Sequence, residues 1–317
     1  MQFFHAAFAV LGVVVCGATA HSAEITTLRL GTATPGGGFT VYGQALADAL
    51  REVEPALQIE VQETAGSKEN IPLLEAGKLD LGLVEGTAAY EALIGIGRAP
   101  AQLPVIAAMY SSPGLFAVRA DSQYTKIEDL KGRRVVFGAA GSGFVLLARY
   151  VLDALGLDMQ RDFDPVLLQS AKDGPPMVLN GEAAAMWGGG IGWPPFEAIA
   201  RGAHGARFLA PDPDQIARIQ ALHPVLKNLT VPAHASPGQE QAIATVGSWS
   251  LILARPGLPE EVAYRFARAL QRAQSAFVKR LAQARETTPE NTLAAAPGPH
   301  MLHPGVVRYF REIKLMR

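Results

Sequence analysis

The sequence predicts a two-lobed α/β protein in which each lobe is a mixed sheet flanked by helices, and three observations carry that prediction. One pattern occurs twice: LRLGTATPGGGF at 28–39 followed by PLLEAGKLDLGLVEG at 72–86, then RRVVFGAAGSGF at 133–144 followed by PMVLNGEAAAMWGGG at 176–190. The spacing repeats as well, since Phe39 to Pro72 is 33 positions and Phe144 to Pro176 is 32. Gly77 and Gly181 each lie 5 positions beyond those prolines and are each followed nine positions later by another glycine. Finally, short apolar strand signals alternate with helical periodicity, the pattern of sheets covered by helices on both faces.

In chain order, 28–31 reads as a strand and 42–52 as a helix with Leu46, Ala49 and Leu50 on one side. Residues 57–63 alternate as a second strand, and 67–76 is a helix opening on Ser67 with Asn70 three residues on. Strands follow at 79–84, 103–110 and 115–119, the last two bracketing a turn at Ser111-Ser112-Pro113-Gly114. Composition turns polar at 121–131, which marks the first crossing between lobes, and the repeat restarts at Arg133. The second unit reads as strand 135–138, helix 144–155, strand 164–169 and a helix at 174–180 that opens on two prolines, as a first turn tolerates. Helices at 196–201 and 212–223, a returning strand at 245–254, one long amphipathic helix or two at 259–285, and a last helix at 300–315 complete the chain. Lobe 1 is thus expected at 24–122 and 246–317, with lobe 2 at 123–245 inserted into it. Two crossings make a hinge rather than a loose linker.

Residues 1–23 carry no Lys, Arg, Asp or Glu, and 3–18 is nearly all apolar, ending at Ala18-Thr19-Ala20. This reads as a secretory signal peptide cut after Ala20 or Ala23. The single cysteine, Cys16, falls inside it, so the mature chain has neither disulfides nor thiolate chemistry. About 294 residues remain, enough for two domains. With 28 basic and 29 acidic residues and no long run of one sign, nucleic acid and anionic membrane surfaces are poor partners. A content of 49% hydrophobic residues against 18% charged allows a substantial core in each lobe.

The candidate site follows from where the glycine turns fall. A strand running through glycines into a helix aims free backbone N–H groups beyond the strand's carboxyl end, where open α/β sheets bind ligands. Gly37, Gly38, Phe39, Thr40 and Tyr42 supply such a turn in lobe 1, and Gly141, Ser142, Gly143 and Phe144 supply one in lobe 2. Ser67 and Asn70 open a second helix toward the same gap. Glu85, at a strand end, either contacts a ligand ammonium or hydroxyl or pairs with Lys68. Trp187, with Trp193 across Gly188-Gly189-Gly190, either closes over the apolar part of a ligand or belongs to the core. Neither glycine turn fits a nucleotide-phosphate or dinucleotide fingerprint. The histidines show no zinc spacing and Ser142 lies in no nucleophile elbow, so no cofactor, metal or catalytic residue is expected. A binding protein fits this better than an enzyme.

The runs LGTATPGGGFTVYGQALADAL, ETAGSKENIPLLEAGKLDLGLVEGTAAYEA, DLKGRRVVFGAAGSGF and VPAHASPGQEQAIATVGSWSLILARPGLPEEVAYRFARAL, in this order, resemble the TAXI family of solute receptors of TRAP transporters over nearly the whole mature chain. The resemblance implies a periplasmic protein with the two-lobed periplasmic-binding-protein (type II) fold, and a monomer is expected. It implies capture of a small organic solute, commonly a carboxylate or amino-acid-like anion, and delivery to TRAP membrane subunits driven by an ion gradient. Cleft-lining positions of the family map onto 36–42, Ser67, Asn70, Glu85, 141–144 and the 188–190 turn, including Gly189 and Gly190. The family usually has Gln where Glu85 stands, Thr where Phe144 stands and Tyr where Ser236 stands. Those departures favour a ligand with an amino or hydroxyl group, or a bulkier apolar one.

Overall fold

The structure, a computed structural model, describes residues 25–190 and 192–317. The expected signal peptide lies outside the described residues. The chain opens with β1 (Thr26–Gly31), α1 (Gly38–Val53), β2 (Leu57–Gln62), α2 (Ser67–Glu75), β3 (Leu81–Val84), α3 (Gly86–Ile94) and β4 (Val105–Pro113). It continues through β5 (Leu115–Arg119), β6 (Arg134–Ala139), α4 (Phe144–Ala154), β7 (Asp164–Leu168), α5 (Gly174–Leu179), β8 (Ala185–Gly188), α6 (Pro194–Ala200), β9 (Ala206–Leu209) and α7 (Pro213–Leu222). It closes with β10 (Lys227–Val231), β11 (Ile243–Ala254), α8 (Glu260–Arg280), α9 (Pro289–Ala295) and α10 (Pro304–Glu312).

Two mixed sheets result, one ordered β10-β11-β3-β1-β2 with β4 also on β11, the other β7-β6-β8-β5-β9. The duplicated sequence pattern becomes a duplicated βαβαβ unit. β1 pairs in parallel with β2 and β3, and β6 pairs in parallel with β7 and β8. In lobe 1, Leu28 and Leu30 of β1 and Leu46, Ala49 and Leu50 of α1 are buried together. Helix α8 covers them with Phe266, Leu270, Ala273 and Phe277, a spacing of three and four that puts all four on one face. Each fully buried Leu or Phe contributes about 1.5–3 kcal/mol, so this face alone anchors the C-terminal segment onto lobe 1. Lobe 2 has its own core around Phe116, Phe137, Leu147, Val151 and Trp187.

The crossing between lobes differs from the expectation. Residues 111–113 have turn composition, but they extend β4 because Ser111, Ser112 and Pro113 pair with Trp249, Ser248 and Gly247 of β11. β5 then bonds to β8 and β9, so by hydrogen bonding the chain changes sheets at Gly114 rather than near residue 122. β10, expected within lobe 2, bonds to β11 in the first sheet, while Val231 and Ile243 pack into a lobe 2 cluster; this ribbon bridges the lobes. The two crossing strands are tied together: Gly114 N donates to Val246 O at 2.9 Å, and Thr245 Oγ1 donates to Gly114 O at 2.7 Å. Of the helix expected at 259–285, the α-helical part ends at Arg280.

Candidate functional site

The carboxyl ends of β1 and β6 point their glycine turns into one cavity of about 50 Å³ between the lobes. Gly37, Gly38 and Phe39 line it from lobe 1, and Ser142 and Phe144 from lobe 2. Ser67, Glu85 and Tyr110 form its polar floor, and Trp187 and Trp193 complete its apolar wall.

The lobes are in direct contact around this space. Lys68 N donates to Gly141 O at 3.1 Å, joining the start of α2 to the turn before α4. Ser170 Oγ donates to Pro35 O at 2.9 Å, and Ala171 N donates to Thr34 Oγ1 at 3.3 Å. At the other rim, Tyr150 of α4 donates its hydroxyl to Glu91 of α3 at 2.6 Å. The approach of the two turns is set by a missing side chain: a Cβ on Gly141 would lie 2.3 Å from Ala65 O. Phe144 stacks on Trp193, with ring centroids 6.0 Å apart and an interplanar angle of 24°.

Three hydroxyls at the cavity already accept a backbone hydrogen bond. Ser67 Oγ accepts from Glu85 N at 3.0 Å, Ser142 Oγ from Phe144 N at 3.2 Å, and Thr34 Oγ1 from Ala171 N. With their oxygens used as acceptors, each keeps its own proton to offer. Tyr110 is 3% exposed, and among the described residues its hydroxyl has no hydrogen-bond partner. Burial raises the pKa of that phenol, so it stays a proton donor.

Glu85 caps α3. Its Oε2 accepts from Thr87 N at 3.0 Å and Ala88 N at 3.3 Å, while Oε1 accepts from Thr87 Oγ1 at 3.2 Å and from Ser248 Oγ. Desolvation pushes its carboxyl up to about 7, opposed by those same hydrogen bonds. The expected alternative of pairing with Lys68 is not what the structure shows, because the carboxylate is buried and turned onto the helix start while Lys68 is exposed. Both of its oxygens are occupied without a ligand.

Of the other expected residues, several support the cavity without lining it. The Thr40 hydroxyl donates to Thr34 O at 3.2 Å. Tyr42 is fully buried and bonds to Thr287 at 3.0 Å. Asn70 donates to Thr32 O and Leu83 O at 2.8 Å each, binding the ends of β1 and β3 together. Gly141 and Gly143 make the lobe contact, Gly143 lying against Glu85 and Ser67. Gly189 and Gly190 are not brought to the cavity: a Cβ on Gly189 would lie 1.5 Å from Pro113 O, and one on Gly190 would lie 3.0 Å from Gln283 Nε2, so both serve the hinge. Trp187 takes both expected roles, lining the cavity while donating Nε1 to Phe144 O at 2.8 Å and packing on Phe116 in the core.

Tyr110, Thr34 and the surrounding Ala33, Ala65, Ala139 and Ala171 were not anticipated from sequence. The one available signal for Tyr110 was a polar-tipped aromatic at the end of the apolar run VIAAMY. Among the described residues no cluster of His, Cys, Asp or Glu could hold a metal, and no helix is long and apolar enough to cross a membrane.

Two sheets flanked by helices, hinged by two strand crossings and closed over a cleft, are the type II fold of periplasmic solute-binding proteins. The chain matches the NMT1-like family over residues 30–313 and belongs to that family. Its fold is similar to that of the periplasmic aliphatic sulphonate binding protein SsuA from Escherichia coli, at 19% identity over 91% of this chain and 84% of that chain, with a TM-score of 0.50. A putative L-cystine ABC transporter protein from Listeria monocytogenes is similar at 15% identity over 83% and 98%, with a TM-score of 0.52. A Bordetella bronchiseptica protein is similar at 12% identity over 91% and 98%, with a TM-score of 0.56.

Proposed function

We propose that this protein is an extracytoplasmic solute receptor that closes its two lobes on a small organic anion or amino-acid-like ligand and presents it to a membrane transporter. One observation carries the reading: the duplicated glycine turns, one from each lobe, converge on one cavity lined by hydroxyls with protons to give. A ligand touching both lobes is bound fully only in the closed state, so binding and closure are coupled. The same reading makes the chain a secreted monomer that binds rather than catalyses, with Gly37, Gly38, Phe39, Ser67, Ser142, Phe144 and Trp187 at the ligand. The hydrogen bonding of Glu85 assigns it to shaping the floor.

Calorimetry and thermal shift against organic acids and amino acids test this. Binding with a rise in melting temperature and a smaller radius of gyration is expected; no binding by folded protein overturns it. For delivery, the resemblance to TAXI receptors supports a TRAP-type, ion-gradient-driven transporter. A second reading, a subunit of an ATP-driven importer, is favoured by the similarity to a sulphonate-binding protein and an L-cystine ABC transporter protein. Receptor-dependent uptake that stops when the ion gradient is collapsed, with ATP maintained, supports the first; uptake that persists supports the second.

A further inference from the structure

The cavity is rich in hydrogen-bond donors and poor in charged side chains. Thr34, Ser67 and Ser142 each accept one backbone N–H and keep an O–H to donate. The first turn of α1, a helix of 16 residues, adds the N–H groups of Gly38 and Phe39, which have no intrahelical partner. Tyr110 adds a phenol that is 3% exposed, unpartnered among the described residues, and within 3.1 Å of where a Cβ on Gly38 would sit. Facing the cavity with no partner among the described residues, that hydroxyl is free to donate to an acceptor bound there.

Opposing demands are absent. Among the described lining residues there is no Lys, Arg or His, and Glu85 is the one acidic side chain, with both oxygens engaged. An ammonium group would find no free carboxylate oxygen there, and a second carboxylate would find no cation. Either would be buried uncompensated. The rest of the wall is apolar, made by Phe39, Phe144 and Trp193 together with alanines, around about 50 Å³.

We infer that the ligand is a single-headed organic monoanion with a short apolar body, its oxyanion held by neutral donors, and that the Tyr110 hydroxyl is the residue that selects it. This rests on the receptor reading and narrows it: zwitterionic amino acids and dicarboxylates are rejected by what the cavity lacks. A carboxylate and a sulfonate share this chemistry.

The test is calorimetry of the mature chain against butyrate and ethanesulfonate as single-headed probes, and glutamate and succinate as doubly charged ones, repeated with Tyr110→Phe. That variant keeps the ring against Phe39 and Tyr42 and removes only the hydroxyl. Expected is binding of butyrate, ethanesulfonate or both, at least tenfold tighter than either doubly charged probe. The relative affinity of those two tells which head group is preferred. Tyr110→Phe should weaken that binding about tenfold while the melting temperature of the ligand-free chain stays unchanged. Glutamate or succinate binding as tightly as the single-headed probes overturns this inference and leaves the receptor reading standing. An unchanged affinity in Tyr110→Phe removes Tyr110 as the selecting residue. Failure of all four probes to bind folded protein overturns the receptor reading and this inference with it.

Discussion

The end of β3 in lobe 1 and the end of β8 in lobe 2 hold the same place in the duplicated unit, yet they are built for different tasks. After β3 the chain places Glu85, which turns back to cap α3 and forms part of the cavity floor. After β8 it places Gly189 and Gly190, which leave room for the strand crossing at Pro113 and for Gln283. One copy of the unit kept a polar strand end for the cavity, and the other gave up its side chains so that the hinge could pass. Sequence duplication therefore fixes where a strand ends, while its neighbours decide what that end is for.

The largest effect expected from breaking this contrast is at the hinge. Gly189→Ala puts a Cβ on the Pro113 carbonyl and should destabilise the protein by about 4 kcal/mol or more, seen as loss of soluble, cooperatively melting protein. Next is the pH dependence at Glu85. Its folded-state value of about 7 lies above the ordinary 4.5, so the native chain holds a proton that the unfolded chain releases between those values. The stability from this group is complete below about pH 4.5 and is lost as pH rises through 7. The difference is on the order of 3 kcal/mol between pH 4.5 and pH 8. Urea unfolding at both pH values should show wild type losing more stability than Glu85→Gln; parallel slopes would remove Glu85 as their source.

Trp187→Phe sharpens the comparison from the lobe 2 side. It deletes the hydrogen bond to Phe144 O and leaves a void between core and cavity, costing about 1–3 kcal/mol by denaturant unfolding. The smallest stability effect is expected for Gly141→Ala, under about 1 kcal/mol, because the clash is with Ala65 of the other lobe and opening relieves it. Small-angle scattering should show that variant held open with ligand present. A Gly141→Ala chain that still compacts on binding would mean that the approach of the two turns does not limit closure.

Much of the lobe architecture was legible because it is local. The glycine turns, the strands before them and the helices after them announce themselves within a dozen residues, and Ser67, Ser142 and Phe144 follow from that reading to the cavity wall. What escaped depends on partners distant in sequence. Residues 111–114 look like a turn until β11 is placed beside them, and nothing near Leu115 says that its strand bonds to β8. Tyr110 looks like one more core residue because the direction of its hydroxyl is set by the pleat of β4 and by Gly38 across the cavity. The role of Glu85 turned on α3, a helix the periodicity did not mark, since Gly86–Ile94 is apolar nearly all round.

The tie from Lys68 N to Gly141 O is made by backbone groups alone, and at position 68 nineteen of the twenty residue types supply the amide equally. Related chains can therefore exchange the aromatic walls for other shapes, and take other cargo, while the jaws still meet in register. Specificity is free to drift so long as position 141 stays glycine and no proline arrives at position 68.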